Sequence, residues 1–232
     1  MIDLGNKYVF HVHTYRCGHA SKDMDEMYVK RALSMGADSI TFTDHAPFPG
    51  DPFTGRMKYS QLDEYIESLT RLKEKYQGKI DVHIGLEIEY LPSYWSYYEE
   101  LRTNKDIEVL MIGQHHYELS RGEYSFNAAL EENEYVGICK AINEGISTGL
   151  FDVVAHPDRA FRKEREWTIG MAAFSFKIID NAGKHNVLLE KNYSSMKKEG
   201  LYWKEFWTNL PDDRNVIYGC DAHSVDSLSL NV

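Results

Sequence analysis

The sequence predicts an α/β fold in which seven parallel strands alternate with helices and close into a barrel. Three observations support this prediction. Apolar runs alternate with amphipathic patterns along the whole chain, most runs end in a residue of the metal-ligand type, and 232 residues suit one α/β barrel. No Pro-rich or Gly/Ser-rich tract interrupts the pattern, so we predict a single domain over residues 1–232.

Short apolar runs predict the strands, and longer periodic segments predict the helices. The strands are expected at residues 7–13, 39–45, 80–89, 107–115, 151–156, 186–192 and 215–221. The helices are expected at residues 23–35, 59–76, 93–103, 128–149, 169–184 and near 198–209. In the second helix Leu62, Ile66, Leu69 and Leu72 recur at three- and four-residue steps, as an amphipathic helix requires.

Regular alternation of this kind builds a parallel sheet through right-handed crossovers. Seven such units favour a closed barrel. An open doubly wound sheet is the alternative, and it also places ligands at the carboxyl ends of strands. It would, however, spread seven strand ends along a line, too far apart for one cluster.

Residues that can bind metal stand at the ends of the predicted strands. The first strand ends in Tyr8-Val-Phe-His-Val-His13, and alternation along a strand points His11 and His13 to the same side. The last strand repeats this spacing with Asp221 and His223. The other strand ends carry, in order, His45, Glu87, His115, His156 and Asn192. Because the carboxyl ends of barrel strands form the active face, the pattern predicts one shared site.

Some of these assignments have neighbours that compete with them. His115 precedes His116, and adjacent residues of an extended segment face opposite sides, so we favour His115 and leave His116 open. Glu87 is favoured over Glu89 because it stands directly at the strand end, and Glu89 is expected to support the rim of the site or contact solvent. His83 and His185 are predicted to be structural. Imidazole and carboxylate ligands suit zinc, manganese or iron.

Composition excludes several classes of protein. The chain carries 36 acidic against 26 basic residues, a net charge of −10, which argues against a nucleic-acid-tracking protein. It has no membrane-spanning apolar stretch and no secretory leader pattern, so we expect a cytoplasmic protein without a membrane partner. Cys17, Cys139 and Cys220 have no disulfide-framework or CxxC spacing and are expected to be reduced.

These motifs together resemble the polymerase and histidinol phosphatase (PHP) family. The resemblance runs from residue 8 to 224, and His11-Val-His-Thr-Tyr-Arg-Cys-Gly-His-Ala20 is most similar to the stand-alone histidinol-phosphate phosphatases. The other motifs are Thr43-Asp-His45, Gly85-Leu-Glu87, Gly113-Gln-His115, Ala155-His-Pro-Asp158 and Cys220-Asp-Ala-His-Ser224. The resemblance implies a distorted seven-stranded (β/α) barrel, similar to a TIM barrel, with its metal site at the carboxyl ends of the strands.

The resemblance also implies three divalent metal ions. The first would be bound by His11, His13, Glu87 and Asp221. Glu87 would bridge to a second ion that also takes His115 and His156, and the third would take His19, His45 and His223.

The implied activity is hydrolysis of a phosphomonoester, with phosphate as a product. L-histidinol phosphate, an intermediate of histidine biosynthesis, is the expected substrate. A hydroxide held between the metals would attack phosphorus directly, since the sequence has no G-x-S-x-G nucleophile motif. The expected catalytic residues are Glu87, Asp221 and His223. The expected substrate-binding residues are Arg16, Arg159, Arg162 and Asn192.

Other activities compete with this expectation. A phosphatase for another phosphomonoester, such as phosphotyrosine, comes second. A phosphodiesterase or exonuclease comes third, because the acidic chain lacks an evident basic, aromatic groove for single-stranded DNA. A metal-binding module without activity would need closed coordination spheres, whereas nine ligands shared among three ions leave positions open.

Overall fold

Seven strands form one sheet whose neighbours are consecutive in the chain, as described by a computed structural model covering residues 3–130 and 132–231. The strands of the sheet are β1 (Tyr8–Val12), β2 (Ser39–His45), β3 (Asp81–Ile88), β4 (Val109–Ile112), β7 (Val153–Val154), β8 (Leu188–Asn192) and β9 (Val216–Gly219). A separate hairpin consists of β5 (Glu118–Ser120) and β6 (Glu123–Tyr124). Neighbouring strands pair in parallel in β1–β2, β2–β3, β4–β7 and β7–β8.

The strand order decides between the two predicted folds. A doubly wound sheet reverses its strand order at a switch point, whereas this sheet runs from β1 to β9 without reversal. The chain beyond β9 returns to β1, where the amides of Cys220 and Ala222 donate to the carbonyls of Phe10 and His11. The predicted seven-stranded (β/α) barrel is confirmed.

Helices occupy the connections between the strands. They are α1 (Asp25–Ser34), α2 (Leu62–Lys75), α3 (Trp95–Thr103), α4 (Glu134–Ser147), α5 (Ile169–His185), α6 (Tyr193–Met196) and α7 (Lys204–Trp207). In α2 the residues Ile66, Leu69 and Leu72 are buried, so the predicted apolar face packs inward. Helix α5 begins where Thr168 accepts a hydrogen bond from the amide of Met171. In the part of the chain that the structure describes, no helix has the length and apolar character needed to cross a membrane.

Two compact units can be distinguished in the chain. The first comprises Met1–Ile88, Asn104–Leu110 and Tyr218–Val232, and the second comprises Glu89–Thr103 and Met111–Ile217. In the first unit the core is built on β2 and β3, which are buried on both faces as parallel strands require. In the second unit Ile138 of α4, Ile178 of α5 and Leu189 of β8 are buried. The single domain expected for residues 1–232 stays a prediction.

The region between β4 and α4 differs from its prediction. A strand to residue 115 and a helix from residue 128 are expected, but β4 ends at Ile112 and α4 begins at Glu134. The β5–β6 hairpin lies between them and turns at Gly122, which has φ 83°. Reciprocal hydrogen bonds between Tyr117 and Ser125 join the two ends of the hairpin. Its polar, short strands carry no periodic signal that distinguishes them from a loop.

Gly85, in the middle of β3, allows two neighbouring strands to approach closely. A Cβ atom at this position would lie 2.9 Å from both the Cβ and the carbonyl oxygen of Val109, and 3.1 Å from the carbonyl oxygen of Phe42. We therefore expect Gly85→Ala to lower the free energy of unfolding by about 1–3 kcal/mol, because the backbone of both neighbours must shift. Urea unfolding followed by circular dichroism measures this change.

The matched control is Gly183→Ala in α5, where the nearest atom to the added Cβ is Asn215 Nδ2 at 3.5 Å. This helix position should gain stability or remain unchanged. Equal unfolding midpoints for Gly85→Ala and the wild type would contradict the close packing of β3.

Candidate metal centre

The first unit gathers its ligand-type residues at the carboxyl ends of its strands. The residues at or beyond the strand ends are His11, His13, His45, Glu87, Asp221 and His223, and His19 follows a short 3-10 turn at Tyr15–Cys17. The side chains of His11 and His13 are fully buried, and Glu87 is 1% exposed. The structure therefore brings seven of the predicted ligands onto one face of this unit.

The backbone is strained where the first and last strands meet. His11 has φ 69° and Asp221 has φ 51°, values that non-glycine residues rarely adopt. The register between β1 and β2 shifts between Phe10 and Val12, so His11 is an extra residue in a bulge. The alternation predicted for this segment is therefore broken, yet the rings of His11 and His13 still lie 4.9 Å apart. Strain of this kind is typical of functional sites.

One group in this unit has the geometry of a metal site. His13 Nε2 lies 3.3 Å from Asp221 Oδ1 and 3.5 Å from Glu87 Oε2, and His11 Nε2 lies 3.5 Å from the same Glu87 oxygen. These distances exceed those of ordinary N–H···O hydrogen bonds. Two ligand atoms about 2.1 Å from one tetrahedral ion lie roughly 3.4 Å apart. The four side chains therefore fit a shared divalent ion.

The His13 ring supports this interpretation independently. Both of its nitrogens are buried and make no hydrogen bond, although the side chain is fully enclosed. Buried polar atoms normally have a partner, and an ion between the ring and its carboxylate neighbours would provide one. His13, His45 and His223 also form a group with ligand atoms within 4.8 Å of one another.

Three further contacts describe the rim of the site in the first unit. His45 Nδ1 lies 3.0 Å from Glu87 Oε2, and His223 Nε2 lies 2.9 Å from His19 Nε2. Cys17 lies near His19 and His223, but burial raises the pKa of its thiol to about 11. The predicted set of His19, His45 and His223 is thus brought together, while its binding of an ion stays a prediction.

Opposite electrostatic effects act on two neighbouring histidines. Burial alone lowers the pKa of His13, but the carboxylates of Asp221 and Asp44 outweigh it and raise the pKa to about 9. Burial and the adjacent His13 lower the pKa of His223 to about 3.

Arg16, an expected substrate residue, lies in the first unit with its side chain only 1% exposed. Its guanidinium donates two hydrogen bonds to Asp25 at 2.9 Å, two to Glu64 at 2.7 and 2.8 Å, and one to Thr14 Oγ1 at 3.0 Å. Thr14 in turn donates its amide and its hydroxyl to the buried Asp44. These bonds fix the segment between His13 and His19.

In the second unit, Glu89 organises the histidines that follow β4. Glu89 Oε1 lies 3.0 Å from His115 Nδ1 and 3.6 Å from His116 Nδ1. Both rings therefore turn toward one carboxylate, because the backbone has left the extended conformation after Ile112. The His115 and His156 rings lie 5.4 Å apart. His156 has φ 31°, and its amide donates to the buried Glu190 at 3.0 Å.

The remaining expected substrate residues also lie in the second unit. Asn192 Oδ1 accepts hydrogen bonds from the Ser195 amide and from Arg159 Nη2, at 2.9 and 3.2 Å. Arg162 Nη2 donates to the carbonyl of His115 at 2.8 Å and to Glu134 at 3.1 Å. Arg159 and Asn192 therefore form one polar cluster, whereas Arg162 supports the backbone of His115.

Two buried supporting carboxylates, Asp44 and Glu190, are absent from the predicted site residues. Asp44 stands beside His45, and Glu190 precedes Asn192 by two residues on the same strand. Glu89 is expected at the rim of the site, and it contacts His115 and His116 there. An acidic residue one or two positions from a ligand at a strand end is the signal that could have identified Asp44 and Glu190.

The chain is similar to known proteins along most of its length. Residues 10–202 match the PHP domain family. It is 26% identical to a histidinol-phosphatase of Bacillus subtilis over 92% of each protein. It is 35% identical to a probable histidinol-phosphatase of Deinococcus radiodurans over 64% of this chain, a match that spans 59% of that protein.

Among solved structures, a histidinol phosphate phosphatase of Lactococcus lactis superposes with a TM-score of 0.70. It is 18% identical, and the match covers 95% of this chain and 87% of that one. At this identity the likeness shows a shared fold.

Substitution of His13 tests the metal-shaped group directly. We expect His13→Ala to lose at least one equivalent of bound metal, because the ring faces the carboxylates of both Glu87 and Asp221. Elemental analysis of purified protein measures metal per chain. The control is His185→Ala, since this histidine is exposed at the end of α5. Wild-type metal content in His13→Ala would contradict the site.

Proposed function

Because this chain belongs to the PHP domain family, we propose that it is a metal-dependent phosphatase that hydrolyses L-histidinol phosphate to L-histidinol and phosphate. The observation that carries the proposal is the buried group of His11, His13, Glu87 and Asp221, whose facing atoms are spaced for a shared ion. The Bacillus subtilis histidinol-phosphatase, related over 92% of both proteins, supports the choice of substrate.

The proposed metal ligands are described separately for each of the two units. In the first unit, His11, His13, Glu87 and Asp221 bind one divalent ion. His19, His45 and His223 are the proposed ligands of another, and in the second unit His115 and His156 are proposed ligands as well. The Lactococcus lactis phosphatase was solved with zinc, L-histidinol and phosphate, which supports zinc as one of the ions used. Imidazole and carboxylate ligands also accept manganese and iron.

The metal ions, when bound, lower the pKa of water and neutralise charge on the phosphate. The residues of the chain bind the ions and orient the phosphate. In the first unit, the network of Arg16, Thr14 and Asp44 holds the loop that carries His19. We assign Arg16 to this positioning role, because contact with substrate would require it to break its bonds to Asp25 and Glu64.

In the second unit, Arg159 and Asn192 are the proposed phosphate-binding pair. They are already joined through Asn192 Oδ1, and Ser195 Oγ accepts from Arg159 Nη2 at 2.7 Å. A planar guanidinium held in this way is suited to charge-assisted hydrogen bonds with a phosphate dianion. Arg162 keeps a supporting role through His115 and Glu134.

The cysteines agree with a reducing environment. Cys17, Cys139 and Cys220 are buried and form no disulfide. We therefore place the enzyme in the cytoplasm, where thiols stay reduced.

A substrate panel tests the proposed function. We expect metal-reconstituted protein to release phosphate from L-histidinol phosphate with a kcat/KM at least about tenfold above that for glycerol phosphate or a phosphotyrosine peptide, since specificity is expressed in this ratio. A phosphodiester and single-stranded DNA complete the panel. Equal turnover of all monoesters would leave a general phosphatase, and preferred cleavage of the diester or DNA would overturn the proposal.

Glu89 offers a test of the ligands in the second unit. A carboxylate on Nδ1 orients a histidine so that Nε2 binds metal, and its loss typically weakens metal binding 10- to 100-fold. We therefore expect Glu89→Gln to raise the dissociation constant for zinc by about tenfold, as measured by competition with a chelating dye.

Glu144→Gln is the control for this measurement, because Glu144 is exposed on α4 in the same unit. An unchanged zinc dissociation constant in Glu89→Gln, with normal folding, would show that His115 does not depend on this carboxylate.

A further inference from the structure

An aromatic cluster lies at the two ends of the β5–β6 hairpin, close to a proposed metal ligand. The cluster consists of His116, Tyr124 and Phe126. The rings of Tyr124 and Phe126 are nearly parallel, with centroids 5.7 Å apart and an interplanar angle of 9°. The His116 ring stands edge-on to both, at 5.8 and 5.0 Å. These geometries are favourable for aromatic pairs.

Phe126 is the accessible member of this cluster. Its side chain is 53% exposed, whereas His116 and Tyr124 are buried. The two buried rings therefore form a base that fixes the plane of the third. Phe126 therefore offers a ring whose orientation is held by its neighbours, a geometry on which another planar ring can stack.

Contacts in the second unit connect the cluster to the proposed ligand His115. Phe126 packs on His116, and His116 Nδ1 lies 3.6 Å from Glu89 Oε1. The same Glu89 oxygen lies 3.0 Å from His115 Nδ1. Phe126 is thus connected to His115 by three contacts through His116 and Glu89, and it follows β4, on the side of the barrel where such enzymes place their substrate residues.

Hydrogen bonds hold the hairpin in place. Glu118 accepts hydrogen bonds from the amide and hydroxyl of Ser93, and the Ser125 amide donates to the carbonyl of Tyr117 at 2.9 Å. A fixed platform loses little conformational entropy on binding. The hairpin also carries Glu118 and Glu123 against a single cation, Arg121. Its charge therefore favours a cationic group over an anionic one.

We propose that Phe126 is a specificity-determining residue that stacks on the imidazole ring of the substrate. This inference rests on the proposed function, because L-histidinol phosphate carries an imidazole ring at the end remote from its phosphate. The imidazole gains a proton near neutral pH, and a cation over an aromatic face is attracted to it. The phosphate would be bound by the proposed pair of Arg159 and Asn192 in the same unit, and the hairpin would select the aromatic end.

The test compares two amino-alcohol phosphates that differ in their side chains. L-histidinol phosphate carries the ring, and L-leucinol phosphate carries an aliphatic group of similar size. In Phe126→Leu the apolar cover of His116 is kept and the ring is lost. We expect its KM for L-histidinol phosphate to rise by about two- to tenfold, with little change in kcat, because stacking contributes to ground-state binding. Both constants for L-leucinol phosphate should stay near the wild-type values.

Two control variants define the result. Phe126→Tyr keeps the ring and should retain the wild-type KM for L-histidinol phosphate. Phe176→Leu replaces a phenylalanine of comparable exposure, 62%, on helix α5, and should change neither substrate. Inhibition by L-histidinol should weaken in Phe126→Leu, while inhibition by inorganic phosphate should not.

The outcomes separate the two proposals. Wild-type protein that does not hydrolyse L-histidinol phosphate overturns the proposed function, and the role of Phe126 falls with it. Efficient hydrolysis by the wild type, with equal effects of Phe126→Leu on both substrates or with no effect on either, overturns the role of Phe126 alone. A selective rise in KM for the imidazole substrate supports both.

Discussion

The pairing of the first strand with the last is the interaction on which the first unit depends. The amides of Cys220 and Ala222 donate to Phe10 and His11, and the amide of His13 donates back to Ala222 at 2.9 Å. These bonds place Asp221 beside His11 and His13. They also hold His11 and Asp221 at positive φ, a cost of roughly 1–3 kcal/mol each that local sequence would not tolerate alone. Long-range backbone pairing therefore stabilises the geometry of the site.

The interior of this site is unfavourable for a protein without metal. His13 Nε2 faces the carboxylate oxygens of Glu87 and Asp221 at 3.5 and 3.3 Å, and both nitrogens of His13 are buried without a hydrogen bond. Buried polar atoms in this state destabilise the folded protein. A divalent ion satisfies several of them at once, so metal binding and stability of the first unit are coupled.

The fold could be predicted to a large extent because its signals are local. The periodic pattern of apolar residues within a segment, as from Leu62 to Leu72, predicts its strand or helix. Most predicted elements overlap an observed one. Ligand residues could be identified because strand ends in a parallel barrel share one face. The bulge at His11 could not be predicted from the sequence, since it arises from the register with β2. The β5–β6 hairpin also lacked a signal, because hydrogen bonds such as those between Tyr117 and Ser125 define it.

Residue roles proved harder to predict than residue positions. Arg16 looks like a phosphate-binding residue in the sequence, yet Asp25 and Glu64, nine and 48 residues away, surround its guanidinium. Glu89 is predicted only to support the rim or contact solvent, and the histidines that it contacts, His115 and His116, are not evident from its position in the sequence. In both cases the role depends on partners distant in sequence, which a linear pattern of residue types does not contain.

The ligand group of the first unit draws on residues 11 and 13 from one strand and 221 from another, which has a consequence for biosynthesis. During translation the early histidines leave the ribosome long before Asp221 does. A growing chain therefore lacks the Asp221 carboxylate until translation has passed residue 221. The group of four is complete only after β1 has paired with the segment that follows β9.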